Sequence, residues 1–249
     1  MGGQLNLINF IKFFCIVLIS QVLFFSKAFA APTFVDAFSV NSEETRPNGL
    51  TFNNDGTKMF VTGHDGDDVN EYKLTTGFDI STATFVDSFD TESEDDDSRD
   101  VKFNQNGTKM FVLGKQNDRV CEYTLSIGFD VSSTVTLVDC ASVSEESKPD
   151  ELEFNPDGTK MFVMGESGDD VNEYTLSTGF DVSTATFVDS FSISDQDDEP
   201  GSLAFSSDGS KLFLLGRENN KVYEYSLTCY YGVINCMDPT SDKDDGSSS

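Results

Sequence analysis

Asn53-Asn54-Asp55-Gly56-Thr57-Lys58-Met59-Phe60-Val61 returns at residues 104–112, again at 155–163 and, loosened, at 206–214. Gly56, Gly107, Gly158 and Gly209 stand 51 residues apart each time. A fixed period of that length marks a repeat architecture in which each copy is one supersecondary unit stacked on the next. Within the stretch, Asp55-Gly56 supplies a tight turn where glycine accepts positive φ, and the apolar residues after it read as a returning strand.

Working outward from the turn, Leu50-Thr51-Phe52 alternates as a strand, and residues 58–63 form its partner. A third strand is predicted at 69–74 and a fourth at 84–89, joined through Gly77-Phe78-Asp79. Four antiparallel strands per unit make a propeller blade. The second strand, Met59-Phe60-Val61-Thr62 and its copies, is apolar on both faces, as a strand sandwiched between neighbouring sheets must be. Glu71, Glu122, Glu173 and Glu224 recur unchanged, as do Tyr72, Tyr123, Tyr174 and Tyr225. The third strand lies away from the axis, so these columns are read as fixing each blade rather than as a ring of ligands.

The fold class is therefore all-β: a propeller of four repeats of about 51 residues, spanning 31–228. Thr33-Phe34-Val35-Asp36-Ala37-Phe38 matches a fourth strand with no first three before it, while the last unit runs through its third strand and leaves the pattern at Cys229. The expectation is an N-terminal strand that closes the last blade, which would remove two exposed sheet edges. Closure of that kind points to a monomer, with two chains sharing an eight-bladed ring as the alternative.

Residues 1–30 carry Lys12, an apolar run from Phe13 and a small-residue site at Ala28-Phe29-Ala30. That is the layout of a signal peptide. The unbroken apolar core is shorter than the ~20 residues a membrane span needs. Cleavage before Ala31 places the protein outside the cytoplasm: secreted, periplasmic or on the cell surface. Four cysteines remain in an oxidising compartment. Cys121 and Cys140 both depart from their repeat columns in one unit and are expected to pair, and Cys229 with Cys236 would close a short loop in the 229–249 segment, whose polar end reads as disordered.

The formal net charge of −28 becomes more negative once Lys12 and Lys27 are removed. Such a surface repels nucleic acid. Charge and variation gather on one face, in the loops after second strands (His64-Asp65-Gly66-Asp67-Asp68 and its copies) and before first strands (Glu92-Ser93-Glu94-Asp95-Asp96-Asp97 and its copies). Variable loops on a rigid scaffold are where binding resides. Residues bordering the channel mouth alternate in sign: Arg46, Asp97, Lys148 and Glu199, with Arg99 and Asp150 beside them. Arg46 and Lys148 could hold an anionic ligand, Asp97 and Glu199 a cation, or the set could be a ring of ion pairs of small individual worth. Calcium is the cofactor suggested by the Asp-Gly-Asp-Asp loops, with Asp65, Asp67, Asp68, Asp169 and Asp170 as ligands, although no loop matches the twelve-residue calcium motif.

The pattern at residues 50–61, with Pro47, Pro149 and Pro200 just before the first strands, resembles the YVTN-type repeats of secreted, lactonase-like β-propellers. The resemblance covers nearly the whole chain after residue 30 and concerns blade construction; propellers of that class usually have six to eight blades. It implies a possible hydrolase using metal-bound water, for which Asp97, Asp150 and Glu199 would be the carboxylates to examine. Against that stand one histidine in the chain and no Gly-x-Ser-x-Gly elbow. The reading preferred from sequence is a non-catalytic binding module acting through the acidic loop face on a protein or a small charged ligand. A carbohydrate-binding module is the weakest of the three, since the chain has no Trp.

Overall fold

The computed structural model describes residues 33–232, and the chain is an all-β, four-bladed propeller. Each blade is an antiparallel sheet in sequence order. Blade 1 holds β1 (Pro47–Phe52), β2 (Lys58–Gly63), β3 (Asp68–Leu74) and β4 (Ala83–Asp90). Blade 2 holds β5 (Ser98–Phe103), β6 (Lys109–Gly114), β7 (Arg119–Leu125) and β8 (Val135–Ser142). Blade 3 holds β9 (Pro149–Phe154), β10 (Lys160–Gly165), β11 (Asp170–Leu176) and β12 (Ala185–Ser192). Blade 4 holds β13 (Pro200–Phe205), β14 (Lys211–Gly216) and β15 (Lys221–Ser226).

The turn glycines do what the sequence requires of them. Gly56, Gly107, Gly158 and Gly209 all have φ near +70°. A Cβ on Gly107 would also sit 2.1 Å from the ring of Phe129. The phenylalanine turn thus covers the hairpin of its own blade, held by Phe129 N donating to Gly107 O at 3.0 Å. Only glycine meets both demands, of conformation and of space.

Phenylalanine supplies the seams between blades. Phe60 packs on Phe103 at 4.5 Å, Phe111 on Phe154 at 4.7 Å and Phe162 on Phe205 at 4.6 Å, all tilted. In each case a second-strand ring from one blade meets the first strand of the next. Phe60, Phe111 and Phe162 are fully buried, and offset aromatic pairs of this kind add to ordinary burial. The glutamate column adds a polar tie at the same seams. Glu71 lies 2.6 Å from Lys58 in its own blade and accepts from Val131 N of the next at 2.8 Å; Glu122 repeats this with Lys109 at 2.6 Å and Val182 N at 3.0 Å.

Two expectations need correction. Residues 33–40 carry no strand, and among the described residues blade 4 has three strands, so the N-terminal strand that was to close it is not formed there. Residues matching a fourth strand in sequence lack a third strand beside them, and an isolated edge has no ladder to hold it extended. Nor does the repeat end at Cys229: Tyr231, at φ +50°, donates its N–H to Gly209 O at 2.9 Å and fills the place of the phenylalanine turn. Cys121 and Cys140 face each other across β7 and β8 and are bridged. Cys229 is disulfide-bonded, while Cys236 and the signal segment lie outside the described residues. No helix among the described residues is long and apolar enough to cross a membrane.

Candidate functional site

Much of the acidic loop face is scaffold. Glu44, Asp95, Glu146 and Asp197 form a buried column in which each carboxylate accepts three backbone N–H groups. Asp95 takes Asp97 N at 3.0 Å, Gln116 N at 3.1 Å and Asn117 N at 2.7 Å; Asp197 takes Glu199, Glu218 and Asn219 in the same way. The column binds the loop before a first strand to the loop after the second strand. Burial pushes the Asp197 carboxyl up, but the three donated N–H groups outweigh it and hold the group below its ordinary value.

Around the mouth, the structure brings Asp97, Arg99 and Asp150 together. Arg99 lies 2.8 Å from Asp97 and 3.5 Å from Asp150, and His64 Nδ1 lies 3.0 Å from Asp97. Lys115, Arg217 and Glu166, each the first residue of a variable loop after a second strand, complete the network: Lys115 reaches Asp150 at 3.1 Å and Glu166 at 3.3 Å, and Arg217 reaches the same two at 3.6 and 3.5 Å. Lys115, Glu166 and Arg217 share one column with His64. Variation in sign down that column is the signal that could have found them.

The other predicted residues are placed differently. Arg46 is exposed and pairs with Asp65 of its own blade at 3.5 Å. Lys148 and Glu199 are exposed and take part in no ion pair among the described residues. What the column of position 46 contributes is backbone: its carbonyls accept from His64, Lys115, Glu166 and Arg217. Asp65 accepts from the Thr45 hydroxyl, and Asp68 and Asp170 accept from Asn70 and Asn172 of their own strands. Asp67 and Asp169 sit at positive φ with one carboxylate oxygen each buried and without a hydrogen bond. Burial, then Asp96, pushes Asp67 up to about 6.

A second charged cluster joins the first strands of blades 2 and 3. Lys102 Nζ sits 3.1 Å from Asp100, 3.7 Å from Glu151 and 3.6 Å from Glu153, and Asp100 also accepts from Leu152 N at 3.1 Å. Three carboxylates share one lysine, so burial and mutual repulsion dominate: Asp100 and Glu153 are raised, and Glu151 is pushed up to about 8 by burial and by Asp100, with Lys102 opposing. Lys102 and Glu153 also line a cleft of about 300 Å³ that opens on the hairpin side, between Asn54, Gln105 and Asn155.

The sign of the pH effect follows. A carboxyl raised on folding contributes stability that is fully present below its unfolded value and lost as pH rises through the folded one. For Glu151 the loss runs from about pH 4.5 to about 8, at up to about 1.4 kcal/mol per unit. The melting temperature should therefore fall between about pH 4.5 and about 8, and Glu151→Gln should flatten that fall while leaving stability below that range unchanged. Thermal unfolding by circular dichroism across this range checks it; an equal alkaline fall in the variant would remove Glu151 as the cause.

No protein-family model and no curated protein matches the chain. Solved structures do. A putative 6-phosphogluconolactonase from Bacteroides uniformis superposes with a TM-score of 0.54 at 15% identity, over 72% of this chain and 50% of that one. The periplasmic gluconolactonase of Pseudomonas aeruginosa gives 0.51 at 14%, over 72% and 49%. The β-propeller domain of Cps50 from Myceliophteria thermophila gives 0.51 at 10%, over 73% and 54%. The fold is thus that of lactonase-like and other β-propellers, and this chain spans about half the length of the structures it resembles.

Proposed function

We propose that the protein is a non-catalytic binding module, working outside the cytoplasm, whose acidic loop face docks a positively charged protein. The observation that carries this reading is how the mouth carboxylates are used. Asp97 and Asp150 are closed off by Arg99, Lys115 and Arg217. A carboxylate already satisfied by built-in cations is poorly placed to serve as general base, whereas exposed acids around it, such as Glu92, Asp96 and Asp198, remain to steer a cationic partner. The bridge between Cys121 and Cys140 suits an oxidising compartment.

Charge reversal separates the faces. Glu92→Lys, Asp96→Lys and Asp198→Lys together should weaken binding of a basic probe protein such as lysozyme by on the order of tenfold or more at low salt. The same number of reversals on the exposed outer strands, Asp87→Lys, Asp139→Lys and Asp189→Lys, should change it far less; equal losses would leave only net charge and sink the proposal. The lactonase-like neighbours motivate the opposing reading, hydrolysis at the mouth. It requires lactone turnover that disappears in Asp97→Ala.

A further inference from the structure

The repeat offers an internal standard for what each blade face should touch, and both outermost faces fail it. Leu50 is 57% exposed, while its copies Val101, Leu152 and Leu203 are at 0–3%. At the other end Val222 is 68% exposed, while Val69, Val120 and Val171 are at 0%. Glu224, paired with Lys211 at 2.5 Å, has 53% of its side chain exposed, against 1% for Glu71, Glu122 and Glu173. Successive blades pack first strand on first strand, β1 on β5, β5 on β9 and β9 on β13, and no comparable packing joins β13–β15 to β1–β4 among the described residues.

The two open faces are the two halves of one seam. On blade 1 an apolar groove of about 350 Å³ is lined by Val40, Leu50, Phe52, Met59, Val61 and Ile80. On blade 4, Phe213, Leu215 and Val222 occupy the columns that fill the equivalent groove at each internal seam. Phe213 would meet Phe52 as Phe162 meets Phe205 at 4.6 Å. Glu224 would take an N–H from Ile80, as Glu71 does from Val131 and Glu122 from Val182. Phe38 already stands where a preceding blade's fourth strand belongs: it packs on Tyr72 at 5.4 Å, as Phe89 packs on Tyr123 and Phe191 on Tyr225, both at 5.1 Å.

We propose that a second copy of this chain covers these faces, two chains closing head to tail into one eight-bladed ring in which residues 33–38 of each supply the fourth strand of the other's blade 4. The seam would repeat, with residues from the same repeat columns, the interfaces formed three times within the chain. A head-to-tail contact closes into a ring only if its rotation allows. The four blades superpose on about half the length of the propellers they match, which is the share a two-chain ring would give each copy. The donated strand would lie beside β15 in the register of β3 and β4, where Asn70 faces Ser88 and, in blade 2, Cys121 faces Cys140. In that register Ala37 of one copy faces Tyr223 of the other.

The test borrows the native bridge. Full-length chain carrying Ala37→Cys and Tyr223→Cys should, after mild oxidation, run on a non-reducing gel as a covalent dimer that reverts on reduction. The unaltered chain should sediment at twice its chain mass, and Leu50→Asp, at a position exposed in the single chain, should return it to chain mass with its circular dichroism retained. A cross-link confined within one chain would show that the ring closes on itself, and a ladder of higher multimers that it does not close at two. Either result, or an unaltered chain that stays at chain mass, overturns the proposal.

Discussion

Glu122→Ala is expected to lower unfolding free energy by about 3 kcal/mol, at the low end of the range for breaking a buried pair. The side chain is 1% exposed, lies 2.6 Å from Lys109 Nζ and accepts from Val182 N at 3.0 Å. Its removal strands a cation and a backbone donor together, at the seam between blades 2 and 3. Lys109 keeps 28% of its side chain exposed and still donates to Phe180 O at 2.5 Å, so water and the carbonyl recover part of the loss. The paired change Lys109→Met with Glu122→Leu should cost much less, because neither charge is then left alone. Urea unfolding of the three proteins decides: if Glu122→Ala and the paired variant unfold at the same midpoint, the pair is not what holds the seam.

How far the sequence reaches is clearest at this same glutamate. Its identity in all four copies marks it as structural, and the cross-strand lysine of its own blade follows from the hairpin. Its second partner does not, since Val182 N belongs to the next blade and only blade-to-blade packing brings it near Glu122. The Asp-Gly turns, the strand order and the Cys121–Cys140 bridge were legible because each depends on local chemistry or on two departures in one unit. Ring closure was not, because it depends on the angle between blades, a sum of seam contacts that no single repeat encodes. At the mouth, Asp97 stands just before β5 while Arg99 and Asp150 open β5 and β9, so the sequence places all three at one end of the first strands, and only the structure shows which of them touch. Lys115 and Arg217 lie in loops that vary between copies, and Asp100, Lys102, Glu151 and Glu153 are marked only by comparison with blades 1 and 4, which carry Gly49, Thr51, Ser202 and Ala204 at those positions. A charge confined to two of four copies cannot be a demand of the blade.

Asp95→Ala should be comparably damaging, by about 3 kcal/mol, and for a reason opposite to ordinary surface acids. Hydrogen bonds to a charged acceptor contribute about 1.5–3 kcal/mol each, and the buried Asp95 carboxylate takes three, from the N–H groups of Asp97, Gln116 and Asn117; water reaching the exposed Gln116 and Asn117 recovers part of that loss. Gly114 shows how closely the carboxylate is seated: a Cβ there would lie 2.2 Å from Asp95 Cγ. Asp95→Asn keeps the shape and one acceptor oxygen but turns an amide donor toward backbone donors, so it should recover less than half the loss. Glu92→Ala, an exposed acid in the same loop, should change stability by no more than about 0.5 kcal/mol. Because Asp197 in the same column is held below its ordinary value, that carboxylate's contribution is present above about pH 4 and lost as pH falls through the lowered value. The acid limb of unfolding should therefore shift to higher pH in Asp197→Asn, opposite in direction to the alkaline limb governed by Glu151. Chemical denaturation of Asp95→Ala beside Glu92→Ala is the decisive comparison: equal, small losses would mean that the acidic loops are solvated decoration and not the clamp that ties one loop of each blade to the other.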